Sequence, residues 1–504
     1  MQRRIVTGSI MLATIIQALD STIANVALPH MQGSFSASQE QIAWVLTSYI
    51  IAAAVFTPTT GFLAGRFGHK PLLAGAIIGF TVASMLCGAA TSLNEMVLFR
   101  LLQGVFGAAL VPLSQAILLD TTPPEKHGSA MALWGMGVMV GPILGPALGG
   151  WLTESYSWRW VFYINLPLGG LALAGVLAAV PASKLNLTRR FDWMGFAWLG
   201  IAISSFQIML DRGQSQDWFS SNEIIIEALI AGLALYLFIV HSLTKHNPFI
   251  PMQIFADRNV VLGLSLITIV GVVLFATMAL MPPFLESLKG YPVVTTGMVL
   301  APRGVGTMVS MFLVGQLINR VDTRLIMGFG MMLTAASLWQ MANFSLDVDE
   351  TTIIVTGIIQ GFGIGFVFVP LAAVTFATLN PSLRTEAASL FSLLRNVGAS
   401  IGISITQNLA IRFTQINHAV LSENLNLLRP MLRPGHAPAG WALNSPQSLA
   451  LANLAVTREA ATIAYLNDFR FMMYLTLFAL PLLFLLKRST QAASREEMNA
   501  ALAD

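Results

Sequence analysis

Asp20 is a carboxylate inside an apolar stretch that runs from Ile5 to about Leu28. A carboxylate in such surroundings has one evident chemistry, taking up and releasing a proton. An unpaired acid at the bilayer centre costs about 2.5–3.5 kcal/mol on insertion scales, so an intramembrane acid is a functional candidate by default. At helical spacing Gln17, Ser21 and Ala24 share its face, and Asn25 follows. Arg100 stands in another apolar run with Gln103 one turn further on. Read as antiparallel helices, the two runs put Asp20 and Arg100 in the same half of the membrane, where pairing is open to them. If such a pair separates between two states, the carboxylate's hold on a proton changes. Arg303 and Arg395 each lie about ten residues into later apolar runs, Arg395 beside Asn396, Ser389 and Ser392. They read as structural anchors or as lining of a cargo cavity.

Other chemistries are excluded. Gly398-Ala-Ser400-Ile-Gly402 fits a nucleophile elbow in spelling, but that elbow needs a strand-to-helix turn and this segment is an apolar helix. No Gly-Lys dipeptide occurs, which removes a Walker A loop and ATP hydrolysis by this chain. The seven histidines include no HExxH, and the single cysteine, Cys87, can form neither an intrachain disulfide nor a Cys-based zinc site. No catalytic residue, metal or cofactor is expected.

The chain that must position these groups has 504 residues, 55% hydrophobic and only 10% charged, with a mean hydropathy of +0.71. Soluble domains carry about 25% charged residues, so this chain lacks the polar surface to cover soluble cores and its apolar material must face lipid. Runs of about 20 apolar residues between polar breaks predict fourteen helices. The first is at 5–28, the second at 41–64, and the last two are at 386–410 and 468–487. Met1-Gln2-Arg3-Arg4 before an apolar run imitates a secretory signal, but Asp20 and the further spans mark it as an uncleaved first helix. With the N-terminus inside, the inner segments hold sixteen of the 27 basic residues and the short outer loops hold only Arg159, Arg212 and Lys289. By the positive-inside rule this places both termini in the cytoplasm. The net charge of +3 is scattered rather than massed, so lipid and not nucleic acid is the expected environment.

An internal repeat divides the chain. Gly61 to Lys70 aligns with Gly315 to Arg324 at an offset of 254, and Gln103-Gly104 with Gln360-Gly361 at an offset of 257. This predicts a six-helix half at 1–180, a two-helix insertion at 181–258 and a second half at 259–504. Repeated halves of this kind place cargo at their interface near the midplane. In the 61–70 segment Gly61 and Gly68 permit a tight reversal, and Arg66 and Lys70 hold the cytoplasmic face. Alone it is an ordinary basic loop; its recurrence favours a role in helix movement. Gly137, Gly141, Gly145 and Gly149 recur every fourth residue, with Pro142 and Pro146 interleaved, which makes a stripe that a second helix can approach closely.

At these residues the chain resembles the major facilitator superfamily, in its 14-span drug:proton antiporter branch of the EmrB/QacA type, over nearly its whole length. Leu19 to Pro29 is similar to that branch's first-helix motif, Arg100-Leu-Leu-Gln103-Gly104 to the fourth-helix motif associated with proton coupling, and Gly137 to Gly150 to the antiporter motif. Trp158 to Pro167, and Gln207 to Gly213 with Asp217 to Ser221, are similar to the EmrB-like members in particular. The chain departs from the usual loop motif at Gly65, where an acid is usual, and at His69, where a basic residue is.

The resemblance implies an all-α integral membrane protein with 6+2+6 helices and proton coupling through Asp20 and Arg100. It implies efflux of hydrophobic compounds from a bacterial inner membrane, with a periplasmic adaptor and an outer-membrane channel as partners. Gln17, Asn25, Gln103, Arg303, Arg395 and Asn396 are then the candidate cavity lining, and the two glycine segments the packing and gating elements. Export of one dedicated metabolite or siderophore, and a non-transport signalling role, stay open as alternatives. Residues 411–467, about 57 of them, are expected to form a long periplasmic loop that helps to dock the adaptor.

Overall fold

The computed structural model describes residues 2–123, 126–182, 190–318, 320–423 and 446–487. Among these every long element is an α-helix. The first nine are α1 (Gln2–Phe35), α2 (Gln39–Phe56), α3 (Thr59–Phe67), α4 (His69–Ala89), α5 (Leu93–Gly107), α6 (Leu110–Asp120), α7 (His127–Ser155), α8 (Trp160–Tyr163) and α9 (Asn165–Ala179). A pair follows, α10 (Trp193–Arg212) and α11 (Asn222–Thr244). The remainder are α12 (Arg258–Pro283), α13 (Val293–Leu317), α14 (Thr323–Met341), α15 (Glu350–Ala377), α16 (Arg384–Glu423) and α17 (Pro446–Phe484). Twelve spans are long and apolar enough to cross a membrane, and the bent pair α2–α3 makes a thirteenth. With the 19-residue α14, packed against α15 and α17, the helix count is consistent with the expected fourteen. Polar side chains close several of these helices where the chain turns. Ser38 and Gln41 form a reciprocal capping box on α2, and Asp257, Asp322 and Asp349 accept backbone N–H groups at the starts of α12, α14 and α15.

Two expectations are corrected. The second span is not one helix over 41–64, because α2 and α3 meet at a 58° bend beside Pro58, whose missing N–H cannot continue the ladder. The 61–70 segment is accordingly helical up to Phe67, and its turn shrinks to Gly68 at φ 88°, where a side chain would be strained. Residues 411–467 are mostly not a loop. α16 continues to Glu423 and α17 begins at Pro446, since the two helices pack on each other and tie across at His418–Asn453, 2.9 Å. Residues 424–445, including Trp441, and the tail from 488 lie outside the described residues.

The first nine helices pack into one bundle and α12 to α17 into another. The inserted hairpin α10–α11 lies against both: Thr47 of α2 donates to Asp211 at 2.8 Å, and Ser404 of α16 donates to the Leu210 carbonyl at 3.0 Å. Asp192 fastens the base of that hairpin, accepting from Lys245 Nζ, the Gly195 N–H and the Phe249 N–H. Burial opposes its charge, but the hydrogen bonds from Lys245, Gly195 and His241 prevail and hold its carboxyl below the usual range.

Glycines set the closest approaches. A Cβ on Gly141 would overlap the backbone of Ala18, one on Gly145 the Thr22 side chain, and one on Gly149 that of Ile23, while Gly137 lies on Met11. The stripe on α7 is thus a seam against α1, joined at Thr22 Oγ1, which donates to the Gly141 carbonyl at 3.0 Å. Pro142 and Pro146 lie in the same helix, but their side chains are outside the described set. The opposite face of α7 packs on α13 of the other bundle, with Gly128 against Ile318, Gly135 against Met311 and Ser129 donating to the Gly315 carbonyl at 2.7 Å. Because Ala18 meets Gly141 through backbone that cannot swing aside, Gly141→Ala is expected to cost about 1–3 kcal/mol, the usual penalty of overpacking. A lowered melting temperature in detergent, with Gly150→Ala unchanged in its open surroundings, checks this.

Candidate functional site

α1 and α5 bring Asp20 and Arg100 together. Arg100 Nη1 stands 2.7 Å from Asp20 Oδ2, and both residues are wholly buried. Two amides complete the carboxylate's shell: Gln103 Nε2 donates to Oδ1 at 2.8 Å and Asn165 Nδ2 donates to the same oxygen at 3.0 Å. Arg100 also donates to Gln103 Oε1 at 2.7 Å and, through Nε, to the Val45 carbonyl at 3.1 Å. The Tyr49 ring lies 4.2 Å from its guanidinium carbon, so the cation faces π-electrons where it does not face oxygen. Asn165 is steadied by Ser84, which accepts from it at 2.9 Å and donates to the Phe162 carbonyl. Five helices, α1, α2, α4, α5 and α9, therefore converge on one buried charge.

The other candidates divide. Gln17 donates to the Tyr49 hydroxyl at 3.3 Å and adjoins the cluster through it. Along α1, Gln17 and Ser21 are half-buried and Asn25 is exposed, so a polar stripe opens away from α3. Arg303 and Arg395 are not in the cluster. They belong to the second bundle and are half-buried, and each has only one long hydrogen bond among the described residues, to the Leu274 carbonyl at 3.4 Å and to Asn396 Oδ1 at 3.5 Å. Gly61 presses on Glu386, Gly68 makes the α3–α4 turn, Arg66 is exposed and Lys70 half-buried.

At that end of the molecule the bundles are latched. His69 Nε2 lies 3.1 Å from Thr385 Oγ1, and Asp120 bridges His69 at 3.7 Å and Arg384 at 3.6 Å. α7 and α13 meet along 128–143 and 304–318, and beyond this Leu144 and Met298 are exposed. At the α3 end the two bundles are thus held in direct contact.

Sequence reasoning did not single out Asn165 or Tyr49 as ligands of the pair, because a lone amide or phenol in an apolar run has no spacing signature. It also passed over Asp468, fully buried with both oxygens unpartnered among the described residues. Starting the last helix at 468 made that residue an end rather than an interior position. Removing one partner of a buried pair strands the other charge, so Arg100→Ala is expected to cost about 3–5 kcal/mol. Asp20→Asn combined with Arg100→Gln is expected to recover much of that loss in thermal unfolding.

Comparison with known proteins gives one answer. The sequence profile described as Major Facilitator Superfamily matches residues 10–403. The chain is 38% identical over 428 residues to the multidrug export protein EmrB of Escherichia coli K12, covering 84% of each chain. It is 34% identical over 460 residues to the fatty acid resistance protein FarB of Neisseria gonorrhoeae, covering 91% of each. Among solved structures it is similar to the human organic anion transporter MFSD10 (TETRAN), with a TM-score of 0.60 over 94% of this chain and 99% of that one at 13% identity. It is also similar to the proton:xylose symporter XylE, at 0.56 over 93% and 96% with 13% identity.

Proposed function

The chain belongs to the major facilitator superfamily, and from that premise we propose that it is a proton-coupled exporter of hydrophobic toxic compounds in a bacterial inner membrane, working by alternating access. The single observation that carries this reading is the buried Asp20–Arg100 pair, on a helix tied by a glycine seam to the helix that touches the other bundle. The relatives named for multidrug export and fatty acid resistance support export of apolar cargo, and the placement of basic residues supports cytoplasmic termini and a cytoplasmic α3 end.

In this reading the structure stands with its cytoplasmic end latched by His69, Asp120 and Arg384. A proton entering along the Gln17–Ser21–Asn25 stripe replaces the guanidinium as counter-charge of Asp20, and α1 and α5 are then free to part. The α1–α7 seam carries α1's displacement into α7, and the contact of α7 with α13 carries it into the second bundle. A membrane potential of about 150 mV supplies roughly 3.5 kcal/mol per inward proton, enough for about a 300-fold gradient of neutral cargo at one-to-one exchange. Asp20→Asn is expected to abolish uphill efflux from energised vesicles while the protein folds and still binds cargo. Uphill transport at the normal rate by that variant would remove Asp20 from the mechanism.

Partnership with a periplasmic adaptor and an outer-membrane channel belongs to the same proposal. α16 and α17 have 40 and 39 residues, each about 60 Å long and roughly twice the hydrocarbon thickness. Their shared extension, away from the latched end, bears exposed Ile416, Val420, Leu449 and Leu454. In a Cys87→Ser background, Ile416→Cys and Leu449→Cys are expected to cross-link to a co-expressed adaptor. A transport-competent protein that yields no cross-link at either position would rule the extension out as the docking element.

A further inference from the structure

The second bundle also buries an acid, and treats it differently from the first. The offset of 257 that relates Gln103 to Gln360 sets Thr277 of α12 where the first bundle has Asp20. The contact is kept: Gln360 Nε2 donates to Thr277 Oγ1 at 3.3 Å, as Gln103 donates to Asp20. The acid is absent from that place on α12, but one stands close by on α17. Thr277 Oγ1 donates to Met472 Sδ at 3.6 Å, and Asp468 precedes Met472 by one helical turn on the same face. Ala464, Asp468 and Met472, in succession along that face, are all fully buried.

Among the described residues nothing answers a negative charge on Asp468. Neither of its oxygens has a hydrogen-bond partner, and no ion pair reaches it. α12 and α14, which pack on α17, carry charge only at their starts, as Arg258 and Arg324. On α16, Arg395 turns to Asn396, Arg412 is exposed, and His418 is held by Asn453. Glu286, in the turn Phe284–Leu288, would add only like charge. On α17 itself Arg470 is exposed, and Tyr465 lies with its ring against Phe284. An ionised carboxylate without counter-charge in such surroundings is costly, and a protonated one much less so. The two buried acids are therefore in opposite states: Asp20 is charged against Arg100, and Asp468 holds its proton.

The position of Asp468 suits exchange with the outer side. It lies sixteen residues, about 24 Å, from the end of α17 at Phe484, which in the exporter reading is the cytoplasmic end and puts the acid towards the outer boundary of the hydrocarbon. Two turns inward along the same face, Thr476 joins Thr334 in lining a cavity of about 30 Å³ between α12, α14, α15 and α17. That is room for a water or two at roughly 15 Å³ each.

We propose that Asp468 is a second proton-binding site, filled from the outer side and emptied inward past Thr476 as the second bundle moves, so that each cycle carries two protons. The site itself stands on its burial and lack of partners; its part in the cycle rests on the exporter reading. Infrared difference spectra of the full-length protein in lipid at neutral pH test the site. The wild type is expected to show the carbonyl stretch of a protonated carboxyl, Asp20→Asn to keep that band and Asp468→Asn to lose it. Asp468→Glu, which restores a carboxyl, is expected to bring a shifted band back. Absence of the band from the wild type, a measurement that needs no variant to fold, would overturn the site. Its survival in Asp468→Asn, or its loss in Asp20→Asn, would do the same.

The part in the cycle has its own measurement. In proteoliposomes the wild type is expected to balance two protons against one neutral cargo molecule. Asp468→Asn is expected to balance a single proton, so that the cargo gradient it sustains falls to about the square root of the wild-type value. A wild-type ratio of one would remove Asp468 from transport. An Asp468-dependent band in a protein that moves nothing uphill would sink the exporter reading instead and leave the proton site standing.

Discussion

A carboxylate sealed from water needs its charge answered by fixed neighbours, and much of the first bundle is arranged to answer Asp20. Arg100 supplies the opposite charge, and Gln103 and Asn165 supply the N–H groups that water would otherwise offer. Each comes from a different turn or helix, so the requirement of one side chain fixes how α1, α4, α5 and α9 stand towards each other. Ser84, which does not touch Asp20, is held by the same requirement because Asn165 must be aimed. The cluster also explains why Arg100 can be buried at all: its remaining faces are covered by the Val45 carbonyl and the Tyr49 ring.

The α1–α7 seam makes this local matter a global one. Glycines at 141, 145 and 149 let two helices approach almost backbone to backbone, and packing that close transmits displacement because no side chain can yield between them. α7 uses its other face on α13, so it is shared between the bundles. Charge at Asp20 and the relation of the bundles are separated by one helix and not by a long relay.

What the sequence made legible was whatever leaves a periodic or compositional trace. Fourteen apolar runs, the four-residue glycine spacing and the repeat offsets all belong to this kind; among the described residues helices cover the apolar runs, and the glycines of α7 pack on α1. Asp20 and Arg100 were legible because charge in an apolar run is conspicuous. Asn165 and Tyr49 were not, since their importance comes from where α9 and α2 lie in space. The bend at Pro58 and the continuation of α16 past residue 410 were missed for a different reason. Hydropathy marks where a helix is greasy enough to sit in lipid, and it does not mark where a backbone ladder stops. Polar residues after 410 ended the apolar run without ending the helix, because α17 packs alongside and stabilises it.

The paired extension of α16 and α17 has a mechanical consequence. It is rooted in the second bundle, stiffened by contacts along both helices, and about as long outside the hydrocarbon as within it. A rigid mast on a tilting base sweeps furthest at its tip. In the proposed cycle, with one bundle rocking against the other, side chains near Ile416 and Leu449 would travel further than any atom in the core, and anything resting on them would feel each cycle as a push.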